Sequence, residues 1–444
     1  MSLRVWTLAF ACAAISAPVF AETVSKTLDN GLKVIVREDA RAPVVVTQLW
    51  YKVGSVDEEA GKTGLSHVLE HMMFKGTPTV PSGEYSKRIT AMGGELNAYT
   101  NRDETVYYQT VAKQHLPEVL QMEADRMVNL GFSNKDYVNE LEVVKEERRL
   151  RTDDSPSGRL YEKLYQTAFT TSGNKSPIIG SMDDLTHMTG DDARAWYRKW
   201  YAPNNATMVI VGDVNAKQAI KQVENAFGAL KPSALPKRAL PAEPKQTQAR
   251  QAEVSAPSEL PIVALGYQVP QLKNINDKLP YALDTLADVL DGNAASRMEK
   301  NLVRAKPIAL SAGASYSLLT RADTVFVLSG APAQGVSVPQ LIAALKGEVA
   351  DIAKNGVSEE ELARIRNQRA ASETYAKDSM ATQASLMGDL ESKGFGYQDE
   401  DEMRRRLNAV TAAEVQQAAQ FLSDETVTQV ILKPEALNPK GGKQ

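Results

Sequence analysis

Short apolar runs and longer helical periodicities take turns along the chain. Gly31–Arg37 and Val44–Val53 are apolar segments split by the turn-like Glu38-Asp39-Ala40-Arg41-Ala42-Pro43, which predicts two paired strands. Helices are expected from about Gly64 to Met73 and from Ser82 to Met92. The stretch GGELNAYTNRDETVYYQTVA then places two β-rich runs around Asn101-Arg102-Asp103-Glu104, the pattern of a hairpin. Helical periodicity returns at roughly 115–129, 134–151, 157–168 and 190–200, the last capped by Thr189 and Asp191. ATMVIV, residues 206–211, reads as a buried strand.

Residues 231–258 break the pattern. They hold five prolines and no aromatic residue, the composition of an extended linker. Afterwards the order restarts: a strand at Val263–Val269, helices at Leu279–Leu290 and Arg297–Arg304, and a hairpin from Ser311–Ser317 and Thr324–Ser329. A helical region follows from about 336 to 392 and again over 400–422, before a last strand at Val427–Leu432. Strand, helix, helix, hairpin, helices, strand thus occurs twice. The expected fold class is α+β, with two homologous domains from an internal duplication, each a mostly antiparallel sheet packed with helices. The expected boundaries are an N-terminal domain at 22–230, a linker at 231–258, a C-terminal domain at 259–435 and a disordered tail at 436–444. In this alignment Leu279–Leu290 matches the helix at 64–73 but carries Asp284, Thr285 and Asp288 and no histidine, so only one half can hold a metal.

Composition narrows the compartment and the chemistry. MSLRVWTLAFACAAISAPVFA has a basic start, an apolar run and a small-residue end, the pattern of a secretory signal peptide cleaved after Ala21. In a Gram-negative organism the address would be the periplasm. Nothing later approaches the ~18 apolar residues of a membrane span. The single cysteine, Cys12, lies in the leader, so the mature chain has no thiol and any zinc must be held by His and carboxylate. A net charge of −4 gives no electrostatic reason for a nucleic-acid partner.

The chain has four histidines, and two fall in GLSHVLEHMMFKGT. His67 and His71 are four apart, so on a helix both imidazoles share one face and can reach one ion. Glu70 is on the same side, within reach of a zinc-activated water as its general base. This is the inverted His-x-x-Glu-His arrangement of zinc hydrolases. His115 and His187 have no such neighbours and are expected at the surface. A catalytic zinc needs a third protein ligand. KDYVNELEVVKEERRLRTDD offers Glu140, Glu146 and Glu147 on one charged helix, and spacing alone does not choose among them. Glu140 and Glu147, two turns apart, share one side, so one could bind zinc while the other orients a ligand histidine. Leu96–Thr100, just after Gly93-Gly94, is a candidate edge strand to which an extended peptide could add, its contact residues being Leu96, Asn97, Ala98 and Tyr99.

HVLEH, Glu147 lying 76 residues after His71, and Glu140 seven before it together resemble the pitrilysin family of zinc peptidases, which includes insulin-degrading enzyme and the mitochondrial processing peptidase. The GGELNAYTNRDETVYY, VVKEE and WYAPNNATMVIVGDV stretches extend the resemblance over the mature chain, and it is closest to short two-domain bacterial members. The resemblance implies one Zn2+ per chain on His67, His71 and Glu147, with Glu70 as catalytic base and Glu140 as supporting acid. It implies a metalloendopeptidase acting on peptides or unfolded segments in a clam-shaped chamber built by two domains. It also implies an Arg and a Tyr in the second half that hold the substrate. Arg304 fits the first, but Leu310 stands at the Tyr position and Tyr316 follows six residues later. That departure suggests a homodimer, or a heterodimer with a homologous chain carrying the Arg-Tyr pair. The alternative is a non-catalytic scaffold.

Overall fold

The computed structural model describes residues 23–238 and 240–435. The leader with Cys12 and the tail at 436–444 lie outside them. The first half contains β1 (Thr23–Thr27), β2 (Lys33–Glu38), β3 (Val44–Tyr51), β4 (Glu95–Thr100), β5 (Thr105–Ala112) and β6 (Ala206–Gly212). Its helices are α1 (Leu65–Met72), α2 (Glu84–Ala91), α3 (Leu116–Asn129), α4 (Asn134–Arg148), α5 (Pro156–Ala168), α6 (Met182–His187), α7 (Gly190–Trp200) and α8 (Ala216–Phe227). The second half contains β7 (Arg250–Pro257), β8 (Ile262–Val269), β9 (Ala309–Ser315), β10 (Thr324–Pro332) and β11 (Thr428–Glu435). Its helices are α9 (Lys278–Asp291), α10 (Val338–Asn355), α11 (Glu359–Asp378), α12 (Met380–Ser392), α13 (Glu400–Ala409) and α14 (Ala412–Phe421).

The strands form two mixed sheets, ordered β1-β2-β6-β3-β5-β4 and β7-β11-β8-β10-β9. Five strands of the first repeat in the second with the same senses: β2–β6 and β7–β11 are parallel and the following pairs antiparallel. The α+β expectation with two related domains holds. Two local expectations do not. β2 and β3 are not partners, because β6 arrives from far along the chain and pairs with both. Residues 250–257, expected as linker, are β7. Its side chains are mostly half-buried or exposed and it sits at a sheet edge, so it lacks the apolar alternation that marks a strand.

Each sheet is backed by a helix from the other half. α5 crosses to β7, β8 and β11, and α12 crosses to β3 and β6. Leu160 and Leu164 of α5 are buried with Ala264, Val325 and Val430, while Ala384 and Met387 of α12 are buried with Trp50, Val46 and Val209. Gly388 is required here, since a methyl group on it would overlap the Trp50 indole. The two halves are therefore not free jaws of a clam, because opening them would expose both of these apolar layers.

Candidate metal centre

α1 is short, and its placement depends on its surroundings. Leu65, Val68, Leu69 and Met72 recur at helical spacing and are all buried, which anchors the helix on the first core. Gly64 enters it at φ 89° and leaves no side-chain cap. The cap comes from Glu58, whose carboxylate accepts from the Gly64 and Ser66 N–H groups, both at 2.7 Å. Burial pushes the Glu58 carboxyl up to about 8, although both backbone bonds pull it down. α4 starts at a Ser133–Asp136 capping box and buries Tyr137, Leu141, Val144 and Arg148. That face fixes the rotation of α4 and leaves Glu140 and Glu147 towards α1. Glu146, one residue earlier, is exposed and paired with Arg149, which excludes it as the third ligand.

The Nε2 atoms of His67 and His71 lie 3.6 and 3.4 Å from Glu147 Oε2, and one donor atom from each of the three residues falls within 4.8 Å of the others. Tetrahedral ligands about 2.1 Å from one ion stand about 3.4 Å apart, so this donor set fits zinc. Its chemistry fits too. Burial, aided by His71 and Arg151, lowers the His67 imidazole to about 3, which keeps it neutral and able to donate a lone pair. His71 Nδ1 lies 2.9 Å from Glu140 Oε1. With the proton on Nδ1, Nε2 keeps its lone pair facing Glu147. The hydrogen bond from His71, with Lys75 on the other oxygen, holds Glu140 down at about 2. Arg151 Nη2 lies 2.9 Å from Glu147 Oε1, which leaves Oε2 to the imidazoles.

Glu70 stands beside this group, its Oε2 accepting from Thr100 Oγ1 at the end of β4. Burial raises its carboxyl above the ordinary range, the direction a general base near neutral pH requires. These residues line a cleft of about 470 Å³ together with Phe74, Asn97, Ala98 and Tyr99. One wall is β4, which among the described residues pairs only with β5 and so offers a free edge.

Of the expected contact residues, Asn97, Ala98 and Tyr99 line the cleft, whereas the Leu96 side chain packs on the first core. Arg304 is outside the cleft, exposed, and 3.4 Å from Glu299. Tyr316 is not among the residues lining the cleft: its hydroxyl donates to the Pro270 carbonyl at 2.6 Å and its ring stacks on Phe326. Leu310 is exposed. His187 is exposed and His115 half-buried. Lys75, Arg151 and Thr100 are further cleft residues. The first two were findable, each lying one helical turn beyond an expected site residue, His71 and Glu147.

The profile of the insulinase family (peptidase family M16) matches residues 33–181, and that of the peptidase M16 inactive domain matches residues 187–369. The chain is similar to the zinc protease PqqE of Helicobacter pylori, with 32% identity over 92% of each chain. The chain belongs to the insulinase peptidase family, M16. Among solved structures, a protease from Helicobacter pylori superposes with a TM-score of 0.87 at 31% identity, over 93% of this chain and 100% of that one. The first half of the periplasmic protease PqqL from Escherichia coli shares the fold at a TM-score of 0.76 and 22% identity, over 94% and 92%. The chain is a zinc protease of this family, and its residues 187–369 match the family's inactive domain. In the inactive half α9 packs on β9 as α1 packs on β4. There Asp284 and Asp288, four apart like the two histidines, share the Arg369 guanidinium of α11 at 2.8 and 2.7 Å. A fixed cation from the chain thus stands between two acids where the first half has its candidate metal-ligand set.

Proposed function

We propose that this chain is a zinc metalloendopeptidase that hydrolyses peptides or unfolded segments laid along β4, with His67, His71 and Glu147 as ligands and Glu70 as general base. The observation that carries the reading is the convergence of those three donor groups beside Glu70 at a free strand edge. Zinc held there would polarise the peptide carbonyl and lower the pKa of a water from about 16 towards about 7. Glu70 takes the proton of the attacking water and returns it to the leaving amine. Glu140 fixes the tautomer of His71, and the β4 backbone aligns the peptide through main-chain hydrogen bonds, so sequence selectivity is loose.

We propose further that residues 1–21 direct export, to the periplasm in a Gram-negative cell, and that the boundary between the zinc half and the inactive half falls within 231–249. Among the described residues no helix is long and apolar enough to cross a membrane. A homologous but different chain, as a heterodimer partner, supplies the Arg-Tyr pair, since a second copy of this chain would again carry Leu310 at the Tyr position. The engaged hydroxyl of Tyr316 and the exposed Leu310 support that part. Metal analysis combined with cleavage of a quenched unstructured peptide, with and without a co-expressed homologue, tests the proposal. One zinc per chain and zinc-dependent cleavage are expected; a metal-free, inactive protein under both conditions favours the scaffold.

A further inference from the structure

Thr100 closes β4, and its hydroxyl donates to Oε2 of Glu70. A glutamate on a helix facing an open cleft has several rotamers of similar energy. The Thr100 hydroxyl, bonded to Oε2, favours those that keep this contact and so restrains the carboxylate beside the cleft it lines.

Thr100 is itself held by the turn at 101–104, in which every residue is tied down by a different contact. Asn101 Nδ2 donates to Glu104 Oε1 at 3.0 Å. Arg102 donates to the Asn174 and Ser176 carbonyls and lies 4.3 Å from the centre of the Tyr165 ring. Asp103 and Glu104 are buried and turned towards the second half. Arg321, in the loop between β9 and β10, donates from Nη2 to the Asp103 carbonyl at 2.6 Å and from its own N–H to Asp103 Oδ2 at 3.2 Å. The same guanidinium grips Asp57 through two bonds, at 3.1 and 2.7 Å. Lys393, just beyond α12, donates to Glu104 Oε2 at 2.6 Å, and Ser392 donates to the same oxygen at 3.1 Å. Buried pairs of this kind resist displacement, because separating them leaves a charge without a partner or water.

We propose that Thr100 is a positioning residue for Glu70, and that the inactive half, through Arg321 and Lys393, holds the turn that sets Thr100 in place. The inference rests on Glu70 being the general base. It gives the second half a definite role, that of fixing the angle at which the base meets the attacking water.

Thr100→Val keeps the shape of the side chain and the β4 backbone but removes the hydroxyl; Thr100→Ser keeps the hydroxyl. In the full chain, under the partner conditions in which the native protein is active, Thr100→Val is expected to lower kcat about tenfold to hundredfold, the cost of misplacing a reacting group by about 1 Å. KM and bound zinc stay unchanged, and Thr100→Ser recovers most of the loss. A crystal structure of metal-free Thr100→Val is expected to show the Glu70 carboxylate turned away from β4. Arg321→Lys keeps the charge and loses the fork. In metal-free protein it is expected to speed deuterium exchange of the amides at 95–105 while α1 is unaffected; Lys393→Arg gives the same measurement should Arg321→Lys not fold. A Thr100→Val protein with native kcat, or with Glu70 unmoved, overturns the positioning role. Unchanged exchange at 95–105 overturns the part given to the second half. If Glu70→Gln is as active as the native chain, the general-base reading falls instead, and the Glu70 rotamer still reports on Thr100.

Discussion

The Nδ1 atom of His71 lies 2.9 Å from Oε1 of Glu140, so a carboxylate seven residues before one candidate ligand sets the proton position on another. Losing such a partner typically weakens metal binding about tenfold to hundredfold. Glu140→Gln is expected to retain the fold and release zinc to a chelator at correspondingly lower concentration. Competition with a chromophoric chelator measures it.

Glu70 contributes no ligand atom to the His67, His71 and Glu147 set. Glu70→Gln should therefore keep stoichiometric zinc and lose about 10²–10⁴ in kcat, the usual share of a general base. His67→Ala, His71→Ala and Glu147→Ala should lose zinc and turnover together. Metal content and peptide cleavage on the same preparations separate the two classes.

Glu58 takes the place of the missing side-chain cap of α1. Glu58→Ala leaves two N–H groups at the start of the metal-bearing helix without an acceptor, a loss of about 1 kcal/mol. The expected outcome is a lower unfolding midpoint in denaturant and weaker zinc retention, although residue 58 contributes nothing to the ligand set.

Asp284 and Asp288 share one guanidinium, so one of two half-buried negative charges is in surplus. Burial raises Asp284 to about 6, against the pull of Arg369. The folded state then binds more protons than the unfolded state between the ordinary aspartate range and about pH 6, and stability falls as pH rises through that window. Asp284→Asn removes the surplus. Its Tm, compared with that of the native chain at pH 5 and pH 7.5, should gain by a few degrees at the higher pH. An equal difference at both would show that the pair does not titrate there.

The parts of the centre legible in the sequence are those that one helix encodes. His67, Glu70 and His71 lie on eight consecutive residues whose apolar spacing fixes their face, and the β4–β5 hairpin is marked by its polar turn. The third candidate ligand is not legible from spacing alone, because Glu146 and Glu147 differ by about 100° around a helix whose rotation is set by the burial of Tyr137, Leu141 and Val144. β7 is not marked as a strand in the sequence, because an edge strand need not alternate. β2 and β3, neighbours in the chain, do not pair, because β6, far away in the chain, fits between them. The state of Tyr316 depends on the Pro270 carbonyl, a contact that no local pattern encodes.

The exchange of α5 and α12 also bears on how this molecule can be divided. Each half lends the other its outer coat, so a cut in the proline-rich segment at 231–249 does not yield two self-sufficient pieces. A fragment ending there would present Trp50, Val46 and Val209 to water as a bare adhesive sheet, while its own α5 would lie with Leu160 and Leu164 uncovered. The zinc-bearing portion is thus not a minimal enzyme awaiting excision; the residues that never meet zinc are part of what keeps it folded.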